Sequence, residues 1–282
     1  MLDVDTGVDD AMALLLAVLH PDLELRAVTC VQGNAGVDQV ARNTLTVLDA
    51  AGAAHVPVAV GADRPLVEPP GPTRAQRHGT DGMANLGRPL PTRGPDRRSA
   101  TRLLRDTLDP AAPVALVTLG PLTNVAALVA EDSGAVAGIT RVVAVGGFNL
   151  SHDPEGAAAA LAALARAGVS VTLYGTDVFY VPVVSPQHAA TLPDTPAGAL
   201  AEDLLRFCFA RDATTEVTIG DAGAVCAALD PSGLETVRRT VRVGLTGVER
   251  GQLVHDLAGV PVDVALGVDG PHYVNVWLGA FG

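Results

Sequence analysis

Apolar and polar positions alternate along this chain in blocks whose period switches between two and about three and a half. Met1–Val4 reads as a strand end, short for a strand, and leads into a turn-like segment, Asp5–Asp10. Ala11–Leu19 (AMALLLAVL) is apolar all round, as a buried helix is, and His20-Pro21 ends it. Leu25–Cys30 has strand character, Val37–Ala50 repeats with helical spacing, and Val56–Val60 is a second short β-type run. Further on the pattern predicts a strand at Val114–Thr118, a helix at Leu122–Glu131 and a buried strand at Val142–Val145 that runs into Gly146-Gly147. An Ala-rich helix at Pro154–Ala167 and a strand at Val169–Tyr174 follow. The tail from Glu235 reads as β-rich in three runs, TVRRTVRVGL, VDVALGV and YVNVWL. Strands that alternate with helices predict an α/β fold. Its expected core is an open, mostly parallel sheet flanked by helices, with a β-rich segment at the carboxyl end.

One stretch departs from this rhythm. Seven of the 20 prolines fall between Pro65 and Pro95, and nine of the 19 arginines between Arg64 and Arg105. Residues 61–100 are therefore expected to form a lid or loop. With no internal repeat and no linker composition, residues 1–282 are expected to make a single domain.

Composition narrows the chemistry. The net charge is −12 at pH 7, so a nucleic-acid backbone is an unsuitable partner. Every basic residue is arginine, which excludes Schiff-base lysines and lysine-dependent phosphate loops. The three cysteines, Cys30, Cys208 and Cys226, are too few and too widely spaced for a disulfide framework or a Cys metal site. No apolar stretch reaches the roughly 18 residues of a membrane span. The amino terminus lacks the cationic and apolar regions of a signal peptide, so the expected location is cytoplasmic.

The first ten residues hold four aspartates, Asp3, Asp5, Asp9 and Asp10, in the string DVDTGVDD. The first pair falls at the carboxyl end of a predicted strand and the second in the first turn of the next helix. In open α/β sheets that edge is where ligands bind. A helix dipole accounts for an acid at position 9 or 10. It does not account for four together. Converging carboxylates repel, and either protonation or a hard cation relieves them. An EF-hand loop from Asp3 fails: Gly7 stands where an oxygen ligand is needed, Val8 where glycine is needed, and Leu14 where glutamate is needed. A DxDx[TV] phosphatase motif covers Asp3–Asp5, but the lysine such sites use is missing.

The remaining match is DxDxGxDD followed by an apolar helix, and it extends along the chain. VTCVQGNAGVDQVARNTLTVLDAAG, VPVAVGADRPL, HGTDGM, LVTLGPLTNVAAL, VVAVGGFNLSHDPEGAAAAL, GDAGAVCAALDP and RGQLVHD occur in one order. Together they resemble the inosine–uridine-preferring nucleoside hydrolases over nearly the whole length. The resemblance implies Ca²⁺-dependent hydrolysis of a ribonucleoside at its N-glycosidic bond, by a purine or purine/pyrimidine nucleosidase active in salvage. It implies Asp5, Asp10 and Asp221 as carboxylate ligands and the Leu119 carbonyl as another. Asp5 would also be the general base. Asp9, Asn34 and Asn149 would bind sugar hydroxyls, His78 would contact substrate from the lid, and Asp3 would stand behind the ligands. A homodimer or homotetramer is implied.

Two departures stand out. The family's histidine before the third metal aspartate is Gly220 here, and a glycine cannot donate a proton to the leaving base. The family's loop between GG and FN, with a ribose-binding asparagine and a glutamate, is missing, since Gly147 runs straight into Phe148-Asn149. These departures keep open a nucleoside- or sugar-binding paralogue with weakened turnover, or a hydrolase for a modified nucleoside. Only Met1 and Leu2 precede Asp3, so the first strand is expected to be stunted, as a mis-assigned start codon would make it. Among other residues, His152, His255, Asp177 and Trp277 are expected to be structural, with Trp277 packing in a last strand. Phe207, Phe209 and Arg211 lie where the family places base contacts, although an aromatic pair on a helix more often packs in a core.

Overall fold

The computed structural model describes residues 1–67 and 75–282. Its strands are β1 Leu2–Val4, β2 Val28–Cys30, β3 Val58–Val60, β4 Val114–Thr118, β5 Ile139–Val145, β6 Ser170–Tyr174, β7 Val183–Val184, β8 Val217–Thr218, β9 Leu234–Val243, β10 Leu253–His255 and β11 Val260–Val268. The helices begin with α1 Val8–Leu19, α2 Val37–Ala50, α3 Ala75–His78, α4 Ala100–Thr107, α5 Thr123–Glu131 and α6 Phe148–His152. They continue with α7 Pro154–Arg166, α8 Thr176–Phe179, α9 Pro186–Ala189, α10 Pro196–Asp212, α11 Ala222–Leu229 and α12 Gly270–Gly279.

Nine strands form one sheet in the order β10-β9-β11-β6-β5-β4-β1-β2-β3. From β3 across to β11 the neighbours are parallel, whereas β9 and β10 are added antiparallel. The chain winds outward from β1 through β2 and β3, then returns and winds the other way through β4, β5 and β6. The switch point therefore lies between β1 and β4, where a crevice opens at the carboxyl edge. β1 is only three residues long yet central, pairing Leu2 with Val28 on one side and with Val117 on the other.

Strand alternation sorts side chains onto two cores. Leu2, Val4, Val28, Val117 and Val143 face one, with α1, α2, α10, α11 and α12 packed over them. Met1, Ala27, Leu116, Val142 and Val171 face the other, beneath α4, α5 and α7. Helix α1 is buried all round, from Val8 through Ala17 apart from Asp9, as its unbroken apolar run requires.

The sequence pattern and the structure part at the carboxyl end. YVNVWL is not a strand but lies in α12. Asp269 accepts a hydrogen bond from the His272 amide (3.0 Å), and Pro271 stands in the first turn, so the segment is capped as a helix. Tyr273, Val274 and Trp277 are buried at helical spacing, and the Trp277 indole donates to the Met12 carbonyl (3.1 Å). Trp277 is a packing residue as expected, from a different element. Tertiary burial of one face outweighs the strand preference of valine and tyrosine here. Of the expected lid, residues 68–74 lie outside the described ones. Around them the segment forms α3 and then winds along the surface to α4.

Candidate active site

The turn after β1 builds the site. Asp5 leaves the strand end buried, and Asp10 reaches back across the turn. Asp10 accepts from the Gly7 amide (2.9 Å) and the Asp5 amide (3.2 Å), so one carboxylate closes the loop that carries the others. Asp5 accepts from the Asn34 amide (3.0 Å), and the Asn34 side chain donates to Asp10 (3.2 Å). A Cβ at residue 33 would lie 2.0 Å from an Asp5 oxygen, so only glycine lets this turn approach the carboxylate. Asp221 enters at the start of α11. Carboxylate oxygens of Asp9, Asp10 and Asp221 lie within 4.8 Å of one another.

These groups share their charge unwillingly. Burial, reinforced by Asp10 and Asp9, pushes Asp5 well above the usual carboxylate range. Burial first, then Asp9, raises Asp10 to about 7. Asp221 is also held well above that range by burial and by Asp9, Asp10 and Asp5. Asp9 Oδ1 is buried without a hydrogen-bond partner, 3.5 Å from His78 Nδ1. Nδ1 in turn accepts from the Val8 amide (3.2 Å). Crowded oxygen donors, with no arginine lining their pocket among the described residues, fit a hard divalent cation.

One pocket of about 80 Å³ is lined by Asp5, Asp9, Asn34, His78, Leu119, Asn149 and Asp221. Seven of the eight residues picked from the sequence thus meet in one place. The eighth, Asp10, sits behind them in the acidic group. The Asn149 side chain donates to the Leu119 carbonyl, so that oxygen is already engaged in this structure. Asp3 lies deeper. Thr29 (2.6 Å) and Asn124 (2.8 Å) donate to it, and burial raises it to about 7.

Several residues behave as anchors. Asn124 also donates to the Cys30 carbonyl (3.0 Å), and Thr123 donates to Asp153 (2.6 Å), which caps α7 through the Gly156 amide (2.9 Å). His152 bonds Gln32 (2.9 Å), and His255 bonds the Thr240 carbonyl (3.1 Å). Asp177 is exposed on α8. Phe207 and Phe209 pack partly buried on α10, and Arg211 lies over the Phe207 ring while donating to the Arg77 carbonyl.

The sequence reading passed over the opposite wall. Phe148, Tyr174, Thr176, Phe179 and Tyr180 complete the pocket. Phe179 meets Tyr174 (6.4 Å between ring centres) and Tyr180 (5.1 Å) edge to face. The string YGTDVFY was available as a signal, because it directly follows a predicted strand at the ligand edge. Gly220 is explained by this wall. Its φ is +54°, and a Cβ there would meet Asp9 Cβ at 2.8 Å and the Phe179 ring at 2.9 Å. The Phe179 ring occupies the space a side chain at position 220 would need.

An acidic pocket at the switch point of a doubly wound sheet defines a small-molecule site built from oxygen donors. Comparison with known proteins fixes the family. The chain belongs to the inosine-uridine preferring nucleoside hydrolase family, whose pattern matches residues 1–275. It is 37% identical over 206 residues to the non-specific ribonucleoside hydrolase RihC of Escherichia coli strain SMS-3-5, and equally to that of Shigella sonnei strain Ss046. Those alignments cover 68% of this chain and 66% of each relative, so the matched stretch spans just under two thirds of their length. A purine-preferring ribonucleoside hydrolase from Gardnerella vaginalis superposes with a TM-score of 0.90 at 27% identity, over 99% of this chain and 96% of that one. An inosine-guanosine nucleoside hydrolase superposes with a TM-score of 0.90 at 26% identity, over 99% and 97%.

Proposed function

We propose that this chain hydrolyses the N-glycosidic bond of a ribonucleoside, releasing base and ribose. The observation that carries the reading is the meeting of Asp5, Asp9, Asp10 and Asp221 with Asn34 and Asn149 around one pocket. The family membership and the ribonucleoside hydrolases among its relatives support it. Asp5, Asp10, Asp221 and the Leu119 carbonyl would hold Ca²⁺, which suits an all-oxygen donor set. When bound, such an ion supplies Lewis-acid chemistry, lowering the pKa of a water at neutral pH.

Asp5 takes the proton from the attacking water as general base. Asp9, Asn34 and Asn149 hold the ribose hydroxyls and fix the anomeric carbon before the water. The water attacks that carbon directly as the bond to the base breaks, with no covalent sugar–protein intermediate. Positive charge that builds on the sugar ring is met by the surrounding carboxylates and amides. His78 contacts substrate from the α3 side. Gly220 donates no proton, so the base departs without an acid from that position, against the aromatic wall of Phe179 and Tyr180. The protein would work in the cytoplasm on purine or on purine and pyrimidine nucleosides, as a homodimer or homotetramer.

A reducing-sugar assay over a ribonucleoside panel, with Ca²⁺ and with chelator, tests this. Ribose release that needs the ion and vanishes in Asp5→Ala is the expected result. Gly220 favours a second reading, a nucleoside-binding paralogue. Retained nucleoside affinity with no sugar released from any substrate would select it.

A further inference from the structure

Segment 78–87 meets the turn that carries the acids at two points. At one, His78 Nδ1 accepts from the Val8 amide (3.2 Å) and lies 3.5 Å from Asp9 Oδ1. At the other, a side chain of α2 stands between segment and turn. Asn43 is buried, and its Nδ2 donates both to the Thr6 carbonyl (3.1 Å) and to the Asp81 carbonyl (2.8 Å). Carbonyls only accept, so these partners fix which end of the amide faces them. Gln39 Nε2 donates to the remaining oxygen, Asn43 Oδ1 (2.9 Å). Thr6 directly follows Asp5, and Asp81 lies just beyond His78. One amide therefore ties the turn of Asp5, Asp9 and Asp10 to the segment that brings in His78.

The segment is built to be placed as one piece. Asp81 Oδ1 accepts from the Met83 (2.7 Å) and Asn85 (3.0 Å) amides, and Asn85 Oδ1 accepts from the Thr80 amide (2.9 Å) and hydroxyl (2.8 Å). The Ala84 amide donates to the His78 carbonyl (2.7 Å). Gly79, Gly82, Ala84 and Asn85 have φ between +54° and +80°, a region that L side chains rarely adopt, so the loop keeps its shape only while its bonds and contacts hold. Met83 and Ala84 are buried against the core, and Asn43 supplies a polar anchor. Gly82 lets the two approach: a Cβ there would lie 3.0 Å from Asn43 Nδ2 and 3.4 Å from the Thr6 carbonyl oxygen. The acid turn does not depend on Asn43 alone. Asp10 bonds the turn's own amides, and the Thr44 and Thr6 hydroxyls bond each other (2.6 Å).

We propose that Asn43 is a positioning residue that docks segment 78–87 on the acid turn and so holds His78 at the nucleoside pocket, with Gln39 orienting its amide. It acts on substrate through His78 and leaves the oxygen donors of the cation site in place. The inference rests on the ribonucleoside reading of that pocket. Hydrogen exchange tests the docking without any nucleoside, so the two readings fail separately.

Calorimetry on the full chain with Ca²⁺ present measures binding of formycin B and pseudouridine, C-nucleosides whose carbon–carbon bond between base and sugar resists hydrolysis. A separate titration measures Ca²⁺ itself. In Asn43→Ala the affinity for whichever nucleoside the wild type binds should fall about tenfold, roughly the loss of one hydrogen bond to substrate. The Ca²⁺ dissociation constant should not change, which also reports folding. Amides of residues 79–86 should exchange faster than in the wild type. Gln39→Ala should move both readouts the same way and less, because Gln39 is half-buried and water can replace it. Unchanged exchange at 79–86, or unchanged affinity for a nucleoside that the wild type binds, overturns the positioning role. Nucleoside and Ca²⁺ affinities that fall together in Asn43→Ala overturn it too, because a general loss of structure moves both. If exchange quickens but neither C-nucleoside binds the wild type, Asn43 still docks the segment and the ribonucleoside reading falls.

Discussion

The carboxyl edge around β1 and the antiparallel extension of β9, β10 and β11 use the same charged residues to opposite effect. At β1, carboxylates are buried together, and their proton affinities are pushed up by lost hydration and by each other. Elsewhere acids meet arginines. Arg238 bonds Asp263 (2.9 Å), Arg242 bonds Glu249 (2.6 Å) and Asp256 (3.0 Å), and Arg250 holds Glu155 below the usual carboxylate range. Charge on the extension is neutralised locally and stays in water. Charge at β1 is concentrated where water is scarce, and among the described residues no arginine pairs with Asp5, Asp10 or Asp221. Such a cluster fits an ion that the chain does not supply, whereas the ion pairs of the extension are complete in themselves and partly in water.

The contrast can be broken by experiment. The largest effect belongs to Asp5→Ala: loss of the base should lower turnover by at least about 10²–10⁴-fold. In metal-free protein the same change should not lower the melting temperature, because it removes a repelling buried charge. A fall in both would make Asp5 a structural acid. Trp277→Ala, in the helix that docks the chain's end onto α1, should cost about 3–5 kcal/mol in a denaturant titration. The acidic pocket should gain about 2.7 kcal/mol from Ca²⁺ at a hundredfold excess over its dissociation constant, seen as a melting shift that chelator reverses.

The next effect is a slope with pH. Asp10 and Asp3 titrate near 7 in the fold but near 4 in an unfolded chain, so the native state binds more protons between those values. Metal-free stability should therefore fall as pH rises from about 4 to about 7. Asp10→Asn should flatten the curve; an unchanged slope would show that other groups dominate. The smallest effect is expected on the extension. Glu155→Gln should shift stability by no more than about 1 kcal/mol, since its ion pair is partly in water.

Legibility differed between the two regions for a physical reason. DVDTGVDD and the helix after it are local: a strand end, a turn and a helix start fix where four carboxylates go, within one span of sequence. Asn34 and Leu119 follow because they, too, sit at strand ends on the same edge. YVNVWL misled because its alternation suits a strand, whereas the Asp269 cap, Pro271 in the first turn and the packing of Trp277 against Met12 select the helix. The aromatic wall was also unread. Phe179 and Tyr180 come from a short helix after β6, and nothing nearby in sequence says that it turns back over Asp9.

The alternating α/β plan, the family and the crowding of acids at one sheet edge were legible in the chain alone, because periodicity and short motifs act over one or two turns of chain. Long-range packing alone leaves room for a ring at Gly220 and closes the core with α12. Those are facts about space shared by residues far apart in the chain, and no local pattern records them.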